Sequence, residues 1–258
     1  IKKKNAVSSY HALFMERYGV DRLVPLLELL NQEKGLGSFE NNPLAKDKTQ
    51  DSPFQMLWER WIFQKIQECI NKGEHEINLD IKIVQKLLKL SEQSLADKSE
   101  ALPSCDLFFK ILAPSQEDID NSNFDLAISY ISCEAGSSLG RFLDLLSEQE
   151  EQNLRSFFEE EERLEPQARF VEISYWPREA RCANVSINPC LRKYTIDLQK
   201  DSSDDNIIEL EDIYVGATPD HLYLTNKDGE FEILTRTCNL LAQRVAPEPI
   251  RFMREVTQ

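Results

Sequence analysis

Apolar residues in the first hundred positions recur at the spacing of helices. Between residues 4 and 18 they lie three and four positions apart, and Gly19 follows where a helix would end. A second helix is predicted to begin directly after Ser52, where a proline occupies the first helical position. A third begins at Asp80, and its apolar residues are Ile83, Val84, Leu87 and Leu88. The pattern predicts that residues 1–103 are mainly helical.

The pattern changes after Ser104 to apolar runs of strand length. Residues 105–112 and 124–131 are continuous apolar runs, typical of strands that are covered on both faces, so we expect them in the centre of a sheet. From Arg169 onward apolar and polar residues partly alternate, which predicts half-buried antiparallel strands. These strands are predicted over residues 170–176, 178–185 and 194–198.

Further elements complete the predicted fold. Residues 142–165 keep helical spacing, the Asp228-Gly229 dipeptide predicts a hairpin turn within a meander, and a short helix closes the chain over residues 247–256. We therefore predict an α+β fold, with N-terminal helices followed by a mixed, mostly antiparallel sheet and flanking helices. Residues 1–258 are expected to form one partial domain, mainly helical over 1–103 and mainly sheet over 104–258.

Composition narrows the class of protein. The chain has 258 residues, of which 41% are hydrophobic, and it lacks an apolar run of bilayer length and a signal peptide, so we expect a soluble, cytoplasmic protein. Its formal charge of −15 opposes nucleic acid binding, and any RNA contact must be local. The six cysteines include no C-x-x-C pair, which argues against a metal site. Because the chain begins at Ile1, we expect a piece of a longer protein.

The stretch from Ser132 to Phe142 contains the most distinctive candidate chemistry. It lies between a predicted strand and a predicted helix, and residues 136–140 match the G-x-S-x-G pattern of serine hydrolases. A small-residue turn in this setting also suits an anion, because backbone N–H groups point outward there. An anion cradle, a nucleophile elbow and a plain packing turn are therefore the three interpretations.

The hydrolase interpretation makes Ser138 the nucleophile, with Asp212 and His221 as the other members of a triad. Four residues separate the strand from the elbow, however, and Glu134 would place negative charge beside the developing oxyanion. The sequence after Arg169 also lacks the alternating strands and helices of a hydrolase. Labelling of Ser138 by a fluorophosphonate probe would support this interpretation.

The anion-cradle interpretation depends on Arg141, whose planar donors suit phosphate or carboxylate. The structural alternative is a salt bridge from Arg141 to Glu134 or Asp144. A second basic group lies further along the chain and comprises Arg178, Arg181, Arg192 and Lys193. The acidic run over residues 159–162 is interpreted as a solvated helix surface.

Several separated segments together resemble the class I lanthipeptide dehydratases of the nisin-dehydratase type. They are Phe14-Met15-Glu16-Arg17-Tyr18-Gly19, Val24-Pro25-Leu26-Leu27-Glu28-Leu29, Gly35-Leu36-Gly37, Gly136-Ser137-Ser138-Leu139-Gly140-Arg141-Phe142, the segment 177–185, Asp212-Ile213-Tyr214-Val215-Gly216 and Arg251-Phe252-Met253-Arg254-Glu255-Val256. Their order matches the later part of the family's N-terminal glutamylation domain. The family's basic N-terminal segment, its leader-peptide-binding region and its elimination domain have no counterpart here.

The resemblance implies a role in glutamyl transfer from glutamyl-tRNA to Ser and Thr of a precursor peptide, before glutamate elimination gives dehydroamino acids. It implies no cofactor beyond glutamyl-tRNA as co-substrate. The implied partners are the precursor peptide, glutamyl-tRNA, the rest of the dehydratase, a lanthipeptide cyclase and a second copy of the enzyme. The implied location is the cytoplasm, in a membrane-associated biosynthetic complex.

The resemblance also selects site residues. Arg141 matches the arginine of the family's Gly-Arg-Phe element and is expected to contact the glutamyl-tRNA end. Ser138, Arg181, Asn184 and Arg192 join it as substrate-binding candidates on chemical grounds. We expect the chain by itself to be inactive, and glutamylated peptide formed by it alone would contradict that. A non-catalytic scaffold or peptide-interaction module is the alternative function.

Overall fold

The structure is a computed structural model that describes residues 4–38, 53–83, 85–86, 89, 104–132, 134–186, 190–198, 206–241 and 245–257. Its contacts divide the chain into two compact units, one formed within residues 1–47 and 102–258 and the other within residues 48–101. Across the described ranges, no helix is both long enough and apolar enough to cross a membrane.

The first unit is built on a six-stranded sheet with strand order β1-β6-β7-β8-β4-β5. The strands of this sheet are β1 (Val24–Pro25), β4 (Ala168–Ser174), β5 (Tyr194–Asp197), β6 (Tyr214–Ala217), β7 (Leu222–Thr225) and β8 (Glu232–Arg236). A separate two-stranded sheet pairs β2 (Leu107–Leu112) with β3 (Asp125–Ile131). The helices of this unit are α1 (Lys4–Tyr18), α2 (Leu26–Leu29), α4 (Gln116–Asp120), α5 (Glu148–Leu164), α6 (Ala183–Ser186) and α7 (Glu248–Val256).

The predicted fold class is confirmed, because helices precede a mixed and mostly antiparallel sheet. Three strand pairs of the large sheet are antiparallel, namely β1-β6, β6-β7 and β7-β8. The meander predicted around Asp228-Gly229 is present, and Gly229 adopts a φ of +69° in its turn. Helix α7 closes the chain as predicted, and its Phe252 ring packs edge-on against Tyr10 of α1 at 5.3 Å between centroids.

The antiparallel pairing predicted for the strands after Arg169 is wrong for β4 and β5. Strand β4 lies between β5 and β8 and is parallel to both. The alternating pattern gave the wrong prediction because Glu172, a polar residue in the middle of β4, is completely buried together with its apolar neighbours Val171 and Ile173. Both faces of β4 are therefore covered, as is usual for a strand with parallel neighbours.

The central position predicted for the first two apolar runs is also wrong. Strands β2 and β3 form their own hairpin, with an irregularity in register between Phe108 and Phe109. Large apolar side chains of the hairpin remain exposed, for example Phe109 at 47% and Ile128 at 59%. A continuous apolar run does not distinguish a strand buried on both faces from a strand of an exposed apolar hairpin.

The remaining predictions of helices and strands are partly confirmed. Helix α1 ends before Gly19, which has a φ of +75°, as the sequence predicts. The strand predicted over residues 178–185 is wrong, because a 3-10 turn at Ala180–Cys182 leads into α6. The short run that begins at Val24 starts as β1 and continues as α2.

The second unit contains α3 (Pro53–Lys72), in agreement with the predicted second helix. Residues 81–83, 85–86 and 89 are also helical, as predicted for the segment after Asp80. Ser52, the predicted cap of α3, lies outside the described residues, as do Val84, Leu87 and Leu88.

Candidate functional site

The turn at residues 136–138 has the donors expected of an anion cradle, and an internal carboxylate occupies it. The backbone N–H of Gly136 donates to Oδ1 of Asp106 at 2.8 Å. Oδ2 of the same carboxylate accepts from the backbone N–H of Ser138 at 3.3 Å and from its hydroxyl at 3.0 Å. The hydroxyl of Ser137 donates to Oδ2 as well, at 3.3 Å. The cradle therefore fastens the turn to the residue that precedes β2.

Asp106 offers a direct test of this arrangement. We expect Asp106→Asn to lower the free energy of unfolding by about 1–3 kcal/mol, because an amide NH2 would face donors and the charge-assisted hydrogen bonds would be lost. Urea unfolding curves measure the difference. Asp125→Asn is the matched control, since Asp125 is exposed in β3. Equal midpoints for the two variants would contradict the assignment of Asp106 as the occupant of the cradle.

The contacts of the proposed triad residues do not form a hydrolase site. The hydroxyl of Ser138 is directed to Asp106, and Nδ1 of His221 lies 3.0 Å from the hydroxyl oxygen of Thr218. Asp212 belongs to a 3-10 turn at Leu210–Asp212 and is exposed. Among the contacts of the described residues, Ser138 has no histidine that can act as its base.

Behind the turn lies an aromatic ring that connects it to a buried arginine. Gly136 has a φ of +82°, and a Cβ atom placed on it would lie 2.5 Å from Cζ of Phe158. The guanidinium carbon of Arg192 lies 4.2 Å from the centre of the same ring. The turn, the ring and the guanidinium are thus in successive contact.

Helix α5 positions Phe158 and Glu161 three residues apart, and therefore on one face. A capping box fixes its beginning, in which the Ser147 side chain accepts from the backbone of Glu150 and the Glu150 carboxylate accepts from the backbone of Ser147. Glu161 forms an ion pair of 2.5 Å with Arg192, and the two side chains are only 2% and 1% exposed. The Ser104 hydroxyl also donates to Glu161.

The interpretation of the acidic run as a solvated surface therefore holds for its first two residues and is wrong for Glu161. Glu159 and Glu160 are exposed as expected, whereas Glu161 is buried and Glu162 is half-buried. The reason is helical geometry, because Glu161 follows Phe158 by three residues on the face that packs against the sheet.

A second buried ion pair lies between the turn and the last helix. Oε1 of Glu134 lies 3.5 Å from Nη2 of Arg254, and Oε2 accepts from the backbone N–H of Thr237 at 3.4 Å. Glu134 is thus paired with an arginine of α7 and not with Arg141, the partner considered from the sequence.

Arg236, the last residue of β8, lies among these charges. Its guanidinium packs 4.8 Å from the centre of the Phe170 ring and donates to the backbone oxygen of Thr235 at 3.0 Å. Burial lowers the pKa of Arg236, while the charges of Glu134 and Glu161 raise it. Arg192 also lies against the Phe170 ring, with its guanidinium carbon 5.3 Å from the ring centre, so Arg236 and Arg192 share this contact. We refer to Arg192, Arg236, Arg254, Glu134 and Glu161 as the arginine cluster.

Glu172 supports the cluster from within β4. Its Oε2 accepts from the backbone N–H groups of Leu191 at 2.9 Å and Arg192 at 3.3 Å, which fixes the segment before β5. Burial raises the pKa of Glu172, although these hydrogen bonds and Arg192 act in the opposite direction. Burial likewise raises the pKa of the Cys238 thiol, which is hydrogen-bonded to Glu172.

The five substrate-binding candidates predicted from the sequence lie in different environments, some buried and some exposed. Arg192 belongs to the arginine cluster, whereas Ser138 binds Asp106. Arg141 is exposed and lies with its guanidinium carbon 4.4 Å from the centre of the Phe142 ring. Arg181 is 84% exposed and pairs with Glu179, and Asn184 is exposed. The roles of all five in binding glutamyl-tRNA stay predictions.

Four members of the cluster were not selected as binding candidates from the sequence. The sequence did contain an indication that Glu161 is buried, because it shares a helix face with the apolar Phe158. The indication that Arg254 is buried was weaker, and it comes from the apolar residues of the closing helix. No local pattern indicates the positions of Arg236 and Glu134, because only the tertiary fold brings β8 beside the turn. As for metals, the described residues contain no group of three His, Cys, Asp or Glu side chains that could hold an ion.

Comparisons with a family model and with curated proteins both lead to the same family. The family model described as "Lantibiotic dehydratase, N terminus" matches residues 2–258. Subtilin biosynthesis protein SpaB of Bacillus subtilis is 25% identical over 98% of the chain, and epidermin biosynthesis protein EpiB of Staphylococcus epidermidis is 24% identical over 97%. The chain spans 24% of the length of each of these relatives.

Two solved structures, one of a dehydratase and one of a glutamylation domain, are also similar to this chain. The crystal structure of the tRNA-dependent lantibiotic dehydratase MibB from Microbispora sp. 107891 is 26% identical, with a TM-score of 0.74 over 98% of this chain and 24% of MibB. The TbtB glutamylation domain from thiomuracin biosynthesis, bound to 5'-phosphodesmethylglutamycin, is 16% identical and shares the fold, with a TM-score of 0.55 over 99% of this chain and 32% of that domain's chain.

The family predicted from the sequence is confirmed by these matches. The nisin-dehydratase type and the position in the later part of the glutamylation domain stay predictions. The match over residues 2–258 shows that the chain belongs to the lantibiotic dehydratase N-terminal family.

Proposed function

We propose that the chain is part of an enzyme that glutamylates Ser and Thr side chains of a precursor peptide with glutamyl-tRNA as co-substrate. Elimination of the glutamate then gives dehydroamino acids. The observation that carries the proposal is the likeness to the tRNA-dependent dehydratase MibB over 98% of the chain. The likeness in fold to the TbtB glutamylation domain supports the same transfer reaction.

The proposed chemistry is acyl transfer from an aminoacyl ester. The hydroxyl oxygen of Ser or Thr attacks the ester carbonyl carbon, and the tetrahedral intermediate collapses with release of the tRNA hydroxyl. The proton of the peptide hydroxyl is transferred to the departing tRNA oxygen. Such a reaction depends on positioning and on stabilisation of the oxyanion, and it needs no cofactor beyond the co-substrate.

The charge distribution determines where this chain can contact tRNA. The formal charge of −15 repels phosphate overall, so contact requires local positive groups. Arg141 is exposed beside the 136–138 turn and is our first candidate for the contact to the glutamyl-tRNA end. Arg181 and Asn184 are also exposed and extend the proposed surface, whereas the hydroxyl of Ser138 is already engaged by Asp106.

The proposed partners follow from the same function. They are the precursor peptide, glutamyl-tRNA, the rest of the dehydratase, a lanthipeptide cyclase and a second copy of the enzyme. The proposed location is the cytoplasm, within a biosynthetic complex at the membrane.

Arg141→Ala in the complete dehydratase tests the contact. We expect the rate of peptide glutamylation to fall about 10- to 100-fold, the equivalent of one lost charged hydrogen bond, while stability changes by less than about 0.5 kcal/mol. Mass spectrometry of the peptide measures glutamylation. Arg163→Ala is the matched control, since Arg163 is 69% exposed in α5. Unchanged glutamylation in Arg141→Ala would make Arg141 structural and favour the scaffold alternative.

A further inference from the structure

The buried donors of the arginine cluster lack partners to an unusual degree. Ten buried side-chain nitrogen or oxygen atoms in the described part of the chain have no hydrogen-bond partner. Seven of the ten lie in the cluster or directly beside it, on Arg192, Arg236, Arg254, Thr237 and Tyr175. They include Nε of all three arginines. Unpaired buried donors are rare in folded proteins and are usually explained by water or a bound ion.

These atoms belong to one connected region. Arg192 and Arg236 lie against the same Phe170 ring, with their guanidinium carbons 5.3 Å and 4.8 Å from its centre. Thr237 reaches the region through its backbone bond to Glu134. Arg254 and Glu134 also act on the phenol of Tyr175, whose pKa is raised mainly by burial. The unsatisfied donors are therefore on residues linked to the two ion pairs through the Phe170 ring, through Glu134 or through electrostatic interaction.

The charge of the region favours an anion over water alone. Arg192 and Arg254 form ion pairs with Glu161 and Glu134, whereas the described residues provide no ion-pair partner within 4 Å for Arg236. Glu172 lies close to Arg192, but its Oε2 already accepts from the backbone N–H groups of Leu191 and Arg192. A buried cation without a counter-charge is costly, and an oxyanion supplies both the charge and several acceptors.

We propose that the arginine cluster is a binding site for one oxyanion, a carboxylate or a phosphate. Arg192, Arg236 and Arg254 supply the charged donors, and the hydroxyls of Thr237 and Tyr175 supply neutral ones. Identifying the natural ligand rests on the proposed function, under which it is the free carboxylate of the glutamyl group or a phosphate of the tRNA end. The binding of an oxyanion by itself does not require that function.

Thermal unfolding of the 258-residue chain tests the proposal with inorganic phosphate and L-glutamate as probes, against chloride at equal ionic strength. We expect one of the two probes to raise the melting temperature by about 3–6 °C beyond chloride at ten times its Kd. Arg236→Met should abolish this increment, and Arg163→Met should retain it. A larger increase in melting temperature with glutamate indicates that the natural ligand is the carboxylate of the glutamyl group. A larger increase with phosphate indicates that it is a phosphate of the tRNA.

Two results would overturn the proposal. One is a melting temperature that phosphate and glutamate change no more than chloride does. The other is an increment that survives in Arg236→Met, which would place the anion elsewhere. If Arg236→Met does not fold, crystals of the unaltered chain soaked in selenate replace it, because anomalous scattering locates the anion directly. A selenate peak within the cluster supports the proposal, and its absence there contradicts it.

This test is independent of the glutamylation assay, because it requires neither tRNA nor peptide. Anion binding without glutamylation would reject the proposed function alone. Glutamylation without anion binding would reject the oxyanion site alone.

Discussion

Glu161→Ala is expected to lower the free energy of unfolding by about 3–5 kcal/mol, which is the usual cost of leaving one member of a buried ion pair without its partner. Glu161 and Arg192 are both almost completely buried, so the guanidinium cannot turn to solvent when the carboxylate is removed. Chemical denaturation monitored by far-UV circular dichroism measures the change.

The adjacent residue provides the control. Glu160→Ala removes a carboxylate that is 63% exposed and pairs with Arg163 on the surface of α5, and it should cost less than about 1 kcal/mol. The double variant Glu161→Leu with Arg192→Met should be more stable than Glu161→Leu alone, because it removes the stranded charge. Equal losses for Glu161→Ala and Glu160→Ala would show that Glu161 is not buried in an ion pair.

Gly136→Ala is expected to lower the free energy of unfolding by about 2–5 kcal/mol, through two effects that add. The φ of +82° is unfavourable for a residue with a side chain, and the new methyl group would overlap the Phe158 ring. Urea unfolding measures the loss, and we expect near-UV circular dichroism to change as Phe158 shifts.

Gly19→Ala separates the two effects. Gly19 has a similar φ of +75°, but its Cβ position has no neighbour within 4 Å, so only the backbone cost applies. We expect Gly136→Ala to exceed Gly19→Ala by about 1–3 kcal/mol, which is the usual cost of overpacking. Phe158→Leu introduced with Gly136→Ala should reduce that excess. Equal losses at the two glycines would contradict the close packing of Phe158 on the turn.

The sequence predicted local structure well where one physical signal dominated. Gly19 ends α1 because a left-handed residue suits a helix C-terminus, and the Asp228-Gly229 turn forms because glycine accepts a positive φ there. Prediction from the sequence failed where the same residue pattern is compatible with two structural environments. The apolar run that includes Phe109 suits both a central strand and an exposed hairpin, and only the tertiary structure distinguishes them.

The candidate site was predicted in part for a related reason. The glycine-rich turn indicated an anion cradle, and its donors are present, but the sequence did not identify Asp106, which precedes the turn by thirty positions, as the anion. The chemistry of its side chain indicates Arg192, whereas the acidic run predicts a solvated surface for its buried partner Glu161. Pairing between distant charged residues depends on how the strands and helices assemble, and local patterns do not contain that information.

Transfer of labelled glutamate tests the central claim most directly. The complete dehydratase is incubated with the precursor peptide and tRNA charged with radiolabelled glutamate, and the peptide is then analysed for label on Ser and Thr. We expect label to move from the tRNA to these side chains, and we expect no labelling when free glutamate and uncharged tRNA replace the charged tRNA. Dehydrated peptide that forms without charged tRNA, or label that never reaches the peptide, would contradict the central claim.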